Sequence, residues 1–156
     1  MGSISDNLSA IRQSLPAGVT LVAVSKFHPA ESLMEAYNAG QRNFGESRVQ
    51  ELSAKAPQLP ADINWHFIGH LQTNKVRQLL RLRPALIESI DSERLLNAID
   101  NEAAAQGIIQ NVLMQVHVAR EETKFGFSPD ELMEYFRARR FENLKATHIC
   151  GLMGMA

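Results

Sequence analysis

The chain is poor in cysteine, in net charge and in long apolar runs, and each shortage closes off a class of protein. A single cysteine, Cys150, excludes an internal disulfide and fits a reducing, cytoplasmic compartment. Its apolar neighbours predict a small core residue. Sixteen basic against 17 acidic residues leave a formal charge of -1, and no basic block or stripe marks a nucleic-acid footprint. No apolar run approaches the ~20 residues that span a bilayer. The opening residues, Met1-Gly2-Ser3-Ile4-Ser5-Asp6, lack a signal-peptide core, and Asp6 stands where the myristoylation pattern requires Ser or Thr. These absences predict neither a membrane nor a nucleic-acid partner. Linkers, low-complexity tracts and residue-level repeats are also missing. The 156 residues suffice for one domain with a real core, so residues 1–156 are expected to form a single domain.

What is present is a strand-then-helix rhythm. Leu8, Ile11 and Leu15 give a short amphipathic helix, ended by Pro16-Ala17-Gly18. A first strand is predicted over Val19–Ser25. Pro29 suits the first turn of a helix whose apolar face is Leu33, Ala36 and Tyr37, with Gly40 beyond its end. A short strand at Arg42–Phe44 and a helix from about Glu46 to Ala56 follow. Then come a strand at Trp65–Gly69, a helix from Gln72 to about Arg81 and a strand at Ala85–Ile90. Asp91 or Ser92 can cap the next helix, which runs to Gln106. The fifth strand, Asn111–Val118, alternates Val112, Met114, Val116 and Val118 against Leu113, Gln115 and His117. Ser128-Pro129-Asp130-Glu131 combines an N-cap serine, a first-turn proline and a capping-box glutamate. Its helix ends near Arg139, and a sixth strand spans Thr147–Met155. Six strands alternating with helices predict an α/β protein with a parallel sheet. Both a doubly wound sheet and an incomplete (β/α)8 barrel fit this order. A full barrel needs ~250 residues. No glycine-rich phosphate fingerprint follows the first strand, which counts against a dinucleotide-binding sheet.

Lys26 is the most suggestive residue. It closes the run Val19-Thr20-Leu21-Val22-Ala23-Val24-Ser25, at the carboxyl end of a strand and just before a helix. A lysine desolvated there loses its charge readily, and its amine can form a Schiff base with a carbonyl compound. In Phe44-Gly45-Glu46-Ser47-Arg48-Val49-Gln50-Glu51, a glycine ends a strand and charges crowd the following turn. Trp65-His66-Phe67-Ile68-Gly69-His70-Leu71-Gln72-Thr73-Asn74-Lys75 places a glycine, where backbone can approach closely, ahead of amide, hydroxyl and amine groups. His66 and His70 are four apart along a strand-to-loop segment, without clustered carboxylate or cysteine partners, so no metal site is expected. The charged loop Arg120–Lys124 follows the fifth strand, where barrel enzymes build active sites. Gly151-Leu152-Met153-Gly154-Met155 offers small and polarizable groups on which a flat ring can lie.

Taken together and in order, these segments resemble the pyridoxal-phosphate homeostasis protein family, whose barrel is similar to the N-terminal domain of alanine racemase. The pieces are Ala23-Val24-Ser25-Lys26, Phe44-Gly45-Glu46, Val49-Gln50-Glu51, Trp65-His66-Phe67-Ile68-Gly69, Leu71-Gln72, Asn74-Lys75, Lys124-Phe125-Gly126 and Gly151-Leu152-Met153. The resemblance implies a (β/α)8 barrel of that kind, here incomplete with about six strands. It implies pyridoxal 5′-phosphate as cofactor, held as a Schiff base on Lys26, with Ser47, His66 and Met153 completing the cofactor-binding set. The implied role is to keep the cytoplasmic vitamin B6 pool in balance without robust catalysis.

Two departures qualify the resemblance. Ser47 stands where the family carries asparagine. The sequence stops at Ala156, two strands short of the family pattern and of its phosphate-cradling segments, so a truncated member with weakened cofactor retention is expected. The alternative function is a racemase- or decarboxylase-type enzyme using the same Schiff base. Racemases need a second, opposed proton-transfer group, and both tyrosines here, Tyr37 and Tyr135, fall in helical stretches.

Overall fold

The computed structural model describes residues 3–118 and 125–155. Its helices are α1 (Ile4–Ser14), α2 (Ala30–Asn38), α3 (Val49–Lys55), α4 (Val76–Arg81), α5 (Glu93–Gln106) and α6 (Pro129–Arg137). Its strands are β1 (Ala23–Val24), β2 (Asn43–Glu46), β3 (Asn64–Phe67), β4 (Leu86–Ile90), β5 (Gln110–Val116) and β6 (Thr147–Gly154). The capping signals work as their chemistry dictates. Ser128 and Glu131 form the capping box of α6, Ser92 caps α5 through the Leu95 amide, and Gly107 ends α5 with φ 70°. Pro29 stands one position before α2, as its N-cap.

All neighbouring strands are parallel, and the sheet order is β1-β2-β3-β4-β5-β6. A doubly wound sheet reverses order at a switch point. This one never does, so it is an arc of a singly wound barrel. Among the described residues β1 and β6 each have one partner strand. One face of the arc carries Phe44, Trp65, Phe67, Ile87, Val112 and Met114, all buried in a single cluster with Leu33, Leu52, Leu79, Leu80, Leu96 and Ile99 from the helices. Because side chains alternate along each strand, the register sends the intervening residues to the opposite, concave face. Val24 pairs with Gly45, Gly45 with His66 and His66 with Leu86; Gln115 pairs with Met153.

Several expectations need correction. The first strand is ladder-paired only at Ala23–Val24, not over Val19–Ser25. It is an edge of the arc, and Val19 and Val24 are both 52% exposed. The helix expected from Gln72 begins as a 3₁₀ turn at Thr73–Lys75 and becomes α-helical only at Val76. The helix expected from Glu46 starts at Val49, because Glu46 still belongs to β2. Ile11, placed on the apolar face of α1, is exposed, and Leu8 alone is buried there. Cys150 is also exposed, not a core residue. Val112 pairs with Ile149 but Leu113 with Gly151, so Cys150 is the extra residue of a bulge. Such an insertion switches the faces of the rest of the strand. It carries Gly151 and Met153 to the concave side and leaves Leu152 60% exposed on the other.

Candidate functional site

The concave face opens at the carboxyl ends of the strands into a cleft of about 680 Å³. Its walls include Lys26, Ser47, Arg48, Gly69, His70, Glu88, Gln115, Phe125 and Met153. Each arrives by the same alternation. Lys26 lies two residues beyond Val24, Ser47 two beyond Gly45, and Met153 is in register with Gln115. Thus Lys26, Ser47 and Met153 share one cleft. His66 does not line it. It sits a layer below, buried, its Nδ1 2.7 Å from Glu88 Oε2 and its Nε2 3.0 Å from Asn43 Oδ1. Through Glu88 it fixes a carboxylate in the cleft wall. The charged loop Arg120–Lys124 lies outside the described residues.

Lys26 is exposed, where a desolvated lysine was expected. The cause is the edge position of β1, which leaves the cleft open on that side. Its ammonium has no hydrogen bond or ion pair among the described residues. The next residue, Phe27, adopts φ 67°, a left-handed conformation that costs a bulky side chain ~1–3 kcal/mol. Its ring is 70% exposed, with the Arg48 guanidinium 5.2 Å above it. Gly69 has no room for a side chain: an added Cβ would stand 2.1 Å from the Ser47 carbonyl oxygen. This glycine therefore sets how closely the ends of β2 and β3 approach.

Across the cleft from Lys26, His70 stacks on Phe125, centroids 3.8 Å apart. Asp91 Oδ2 lies 2.9 Å from His70 Nδ1. The Gln115 amide donates to the Phe125 carbonyl at 3.3 Å. Glu88, Gln115, Arg48 and His70 stand in the cleft wall although the sequence pattern assigns them no binding role. Glu88 had left a signal, a lone acid inside the apolar run Leu86–Ile90. Tyr37 and Tyr135 do not line the cleft; Tyr37 donates to Asp62 at 2.6 Å, and Tyr135 is buried.

The chemistry on offer is a primary amine, unpaired among the described residues, in one cleft with a thioether, a hydroxyl, a carboxylate and a carboxamide, with aromatic rings at its rim. That donor set fits an aromatic aldehyde, since the amine can bond its carbonyl and the rim can accept its ring. Among the described residues no group of three or more His, Cys, Asp or Glu side chains is placed to hold a cation, and no helix is long and apolar enough to cross a membrane.

Comparison with known proteins agrees with this architecture. The family model described as alanine racemase, N-terminal domain, matches residues 1–156. A pyridoxal phosphate homeostasis protein of Schizosaccharomyces pombe is 42% identical over 147 residues, covering 93% of this chain and 61% of its own length. Its Helicobacter pylori counterpart is 41% identical over 136 residues, covering 86% of this chain and again 61% of its own. The chain thus spans about three-fifths of the length of these curated relatives. The structure of PipY from Synechococcus elongatus without PLP superposes with TM-score 0.92 at 39% identity, covering 98% of this chain and 71% of that one. A second PipY structure, with PLP bound, gives TM-score 0.88 at 38% identity, covering 98% and 70%. The chain belongs to the alanine racemase N-terminal domain family and, within it, to the pyridoxal phosphate homeostasis proteins. Its six strands are accordingly part of an α/β barrel of that kind.

Proposed function

We propose that the chain binds pyridoxal 5′-phosphate and serves vitamin B6 homeostasis in the cytoplasm without robust catalytic turnover. The Lys26 amine condenses with the cofactor aldehyde, releasing water and leaving a carbon–nitrogen double bond. The observation that carries this reading is the Lys26 amine at the carboxyl end of β1, without a partner among the described residues and in one cleft with Ser47 and Met153. Similar proteins bear the homeostasis name, and the similar PipY has been solved with PLP bound. Met153 supplies a polarizable surface for the ring and Ser47 a hydroxyl for a ring substituent. His66 acts from beneath, by holding Glu88. The same proposal treats residues 1–156 as one partial cofactor-binding domain.

Titration with pyridoxal 5′-phosphate, followed by visible absorption of the conjugated imine, tests this. The parent should develop the band saturably, and Lys26→Ala should not. An equal band in both would overturn the assignment. Incubation with L-alanine should produce no D-alanine; steady racemisation would favour the enzyme instead.

A further inference from the structure

A partly buried ion network brackets Lys26 on both sides without lining the cleft. Lys55 Nζ, with its side chain 9% exposed, donates to the Ser25 carbonyl at 2.8 Å, to Glu46 Oε2 at 3.0 Å and to Glu51 Oε2 at 2.6 Å. The Ser25 hydroxyl donates to Glu46 Oε2, whose carboxylate is wholly buried. Glu51 Oε2 accepts the Phe27 amide at 2.6 Å. Ser25 is thus gripped by its carbonyl and hydroxyl, and Phe27 by its amide. Lys26, between them, has no hydrogen bond or ion pair among the described residues. Buried ion pairs are a poor source of stability compared with apolar residues of the same volume, so stability alone does not explain the buried Lys55–Glu46 pair. Nor does packing explain the left-handed Phe27, whose ring is mostly in solvent. The Glu51–Phe27 hydrogen bond holds that conformation in place.

We infer that Glu51 and Lys55, backed by Glu46, are positioning residues for Lys26. They lock the turn at residues 25–27 so that the amine projects into the cleft toward an aldehyde. None of the three touches the cofactor. The inference rests on the proposed function of Lys26, and its test separates the two.

Glu51→Ala removes the acceptor of the Phe27 amide, whereas Glu51→Gln keeps an oxygen there. Pyridoxal, which lacks phosphate and so depends on no phosphate contact, is trapped with cyanoborohydride. Peptide mapping then gives the ratio of adduct on Lys26 to that on Lys145, an exposed lysine far along the chain. The parent should strongly favour Lys26. Glu51→Ala should lower the ratio roughly tenfold, the scale expected when a reacting atom is slightly misplaced, and Glu51→Gln should restore most of it. In the amide proton spectrum, Phe27 should lie well downfield in the parent and in Glu51→Gln but not in Glu51→Ala. If Glu51→Ala does not fold, Glu51→Asp, one methylene short of Phe27, should give an intermediate ratio. A ratio unchanged in Glu51→Ala while the Phe27 resonance moves overturns the positioning role. So does an equal fall in Ala and Gln variants, which would make lost charge the cause. A parent that labels both lysines alike overturns the reading of Lys26 itself, and the inference falls with it.

Discussion

Replacing Gly69 by alanine tests the close approach that shapes the cleft. The added Cβ would lie 2.1 Å from the Ser47 carbonyl oxygen and 2.7 Å from both the carbonyl carbon and Cα of Ser47. All three are backbone atoms, so no side chain can swing away; β2 and β3 must part by roughly an ångström at their ends, and overpacking of this kind costs about 1–3 kcal/mol. Gly69 is not among the positive-φ glycines, so alanine regains about 0.4–1 kcal/mol by restricting the unfolded chain. The steric cost wins by about 1–2 kcal/mol, equivalent to a Tm lower by about 2–8 °C for a chain of this size. Thermal unfolding followed by circular dichroism reads this, with urea unfolding as the second measure. Gly107→Ala is the control: at φ 70° with nothing within 4 Å, it strains the backbone without disturbing Ser47. The Ser47 amide resonance should therefore move in the Gly69 variant only. A Gly69→Ala protein that melts at or above the parent temperature would refute the reasoning.

Three further outcomes follow from the same structure. Asp100, buried in α5, accepts hydrogen bonds from the Lys145 and Ala146 amides and the Thr147 hydroxyl at 2.8–3.0 Å; Asp100→Ala should cost about 3 kcal/mol in urea unfolding, since hydrogen bonds to a charged group contribute 1.5–3 kcal/mol each and are not additive. Burial, then the neighbouring Glu93 and Asp100 carboxylates, pushes the Tyr135 phenol up to about 12 from 10.0. The folded state therefore keeps a proton that the unfolded chain loses, and stability should fall as the pH rises from 10 toward 12, less so in Tyr135→Phe. For Glu51, burial acts upward, but the hydrogen bonds from Lys55 and the Phe27 amide outweigh it and hold the carboxyl below the ordinary 4.5. Its contribution is present above that value and lost as the pH falls through the lowered one, so acid unfolding should be less steep in Glu51→Gln.

The order of elements was legible because it rests on local chemistry. Ser128-Pro129-Asp130-Glu131 announces a helix start from its own side chains, and α6 begins there. The alternation of the fifth strand gave the faces of its middle: Val112 and Met114 are buried against helices and Gln115 reaches the cleft, but the strand ends at Val116 and Val118 is 63% exposed. What failed depended on partners. Val19–Ser25 reads as a strand, but pairing extends only where β2 lies alongside. Cys150 reads as core from its apolar neighbours, but the pairing with β5 makes it the extra residue of a bulge and leaves it exposed. Lys26 stood out at once as a strand-end amine, and the cleft gathers Ser47 and Met153 with it. Lys55 escaped notice because nothing in Val49–Lys55 tells that its ammonium lies against the Ser25 carbonyl, 30 residues earlier.

The central claim is that Lys26 is where the cofactor aldehyde attaches. Borohydride reduction of the protein after incubation with pyridoxal 5′-phosphate, followed by peptide mapping, measures this directly. The account predicts a phosphopyridoxyl group on the peptide containing Lys26, approaching one per chain. A label found mainly on Lys75, or spread evenly over the exposed lysines, would contradict it.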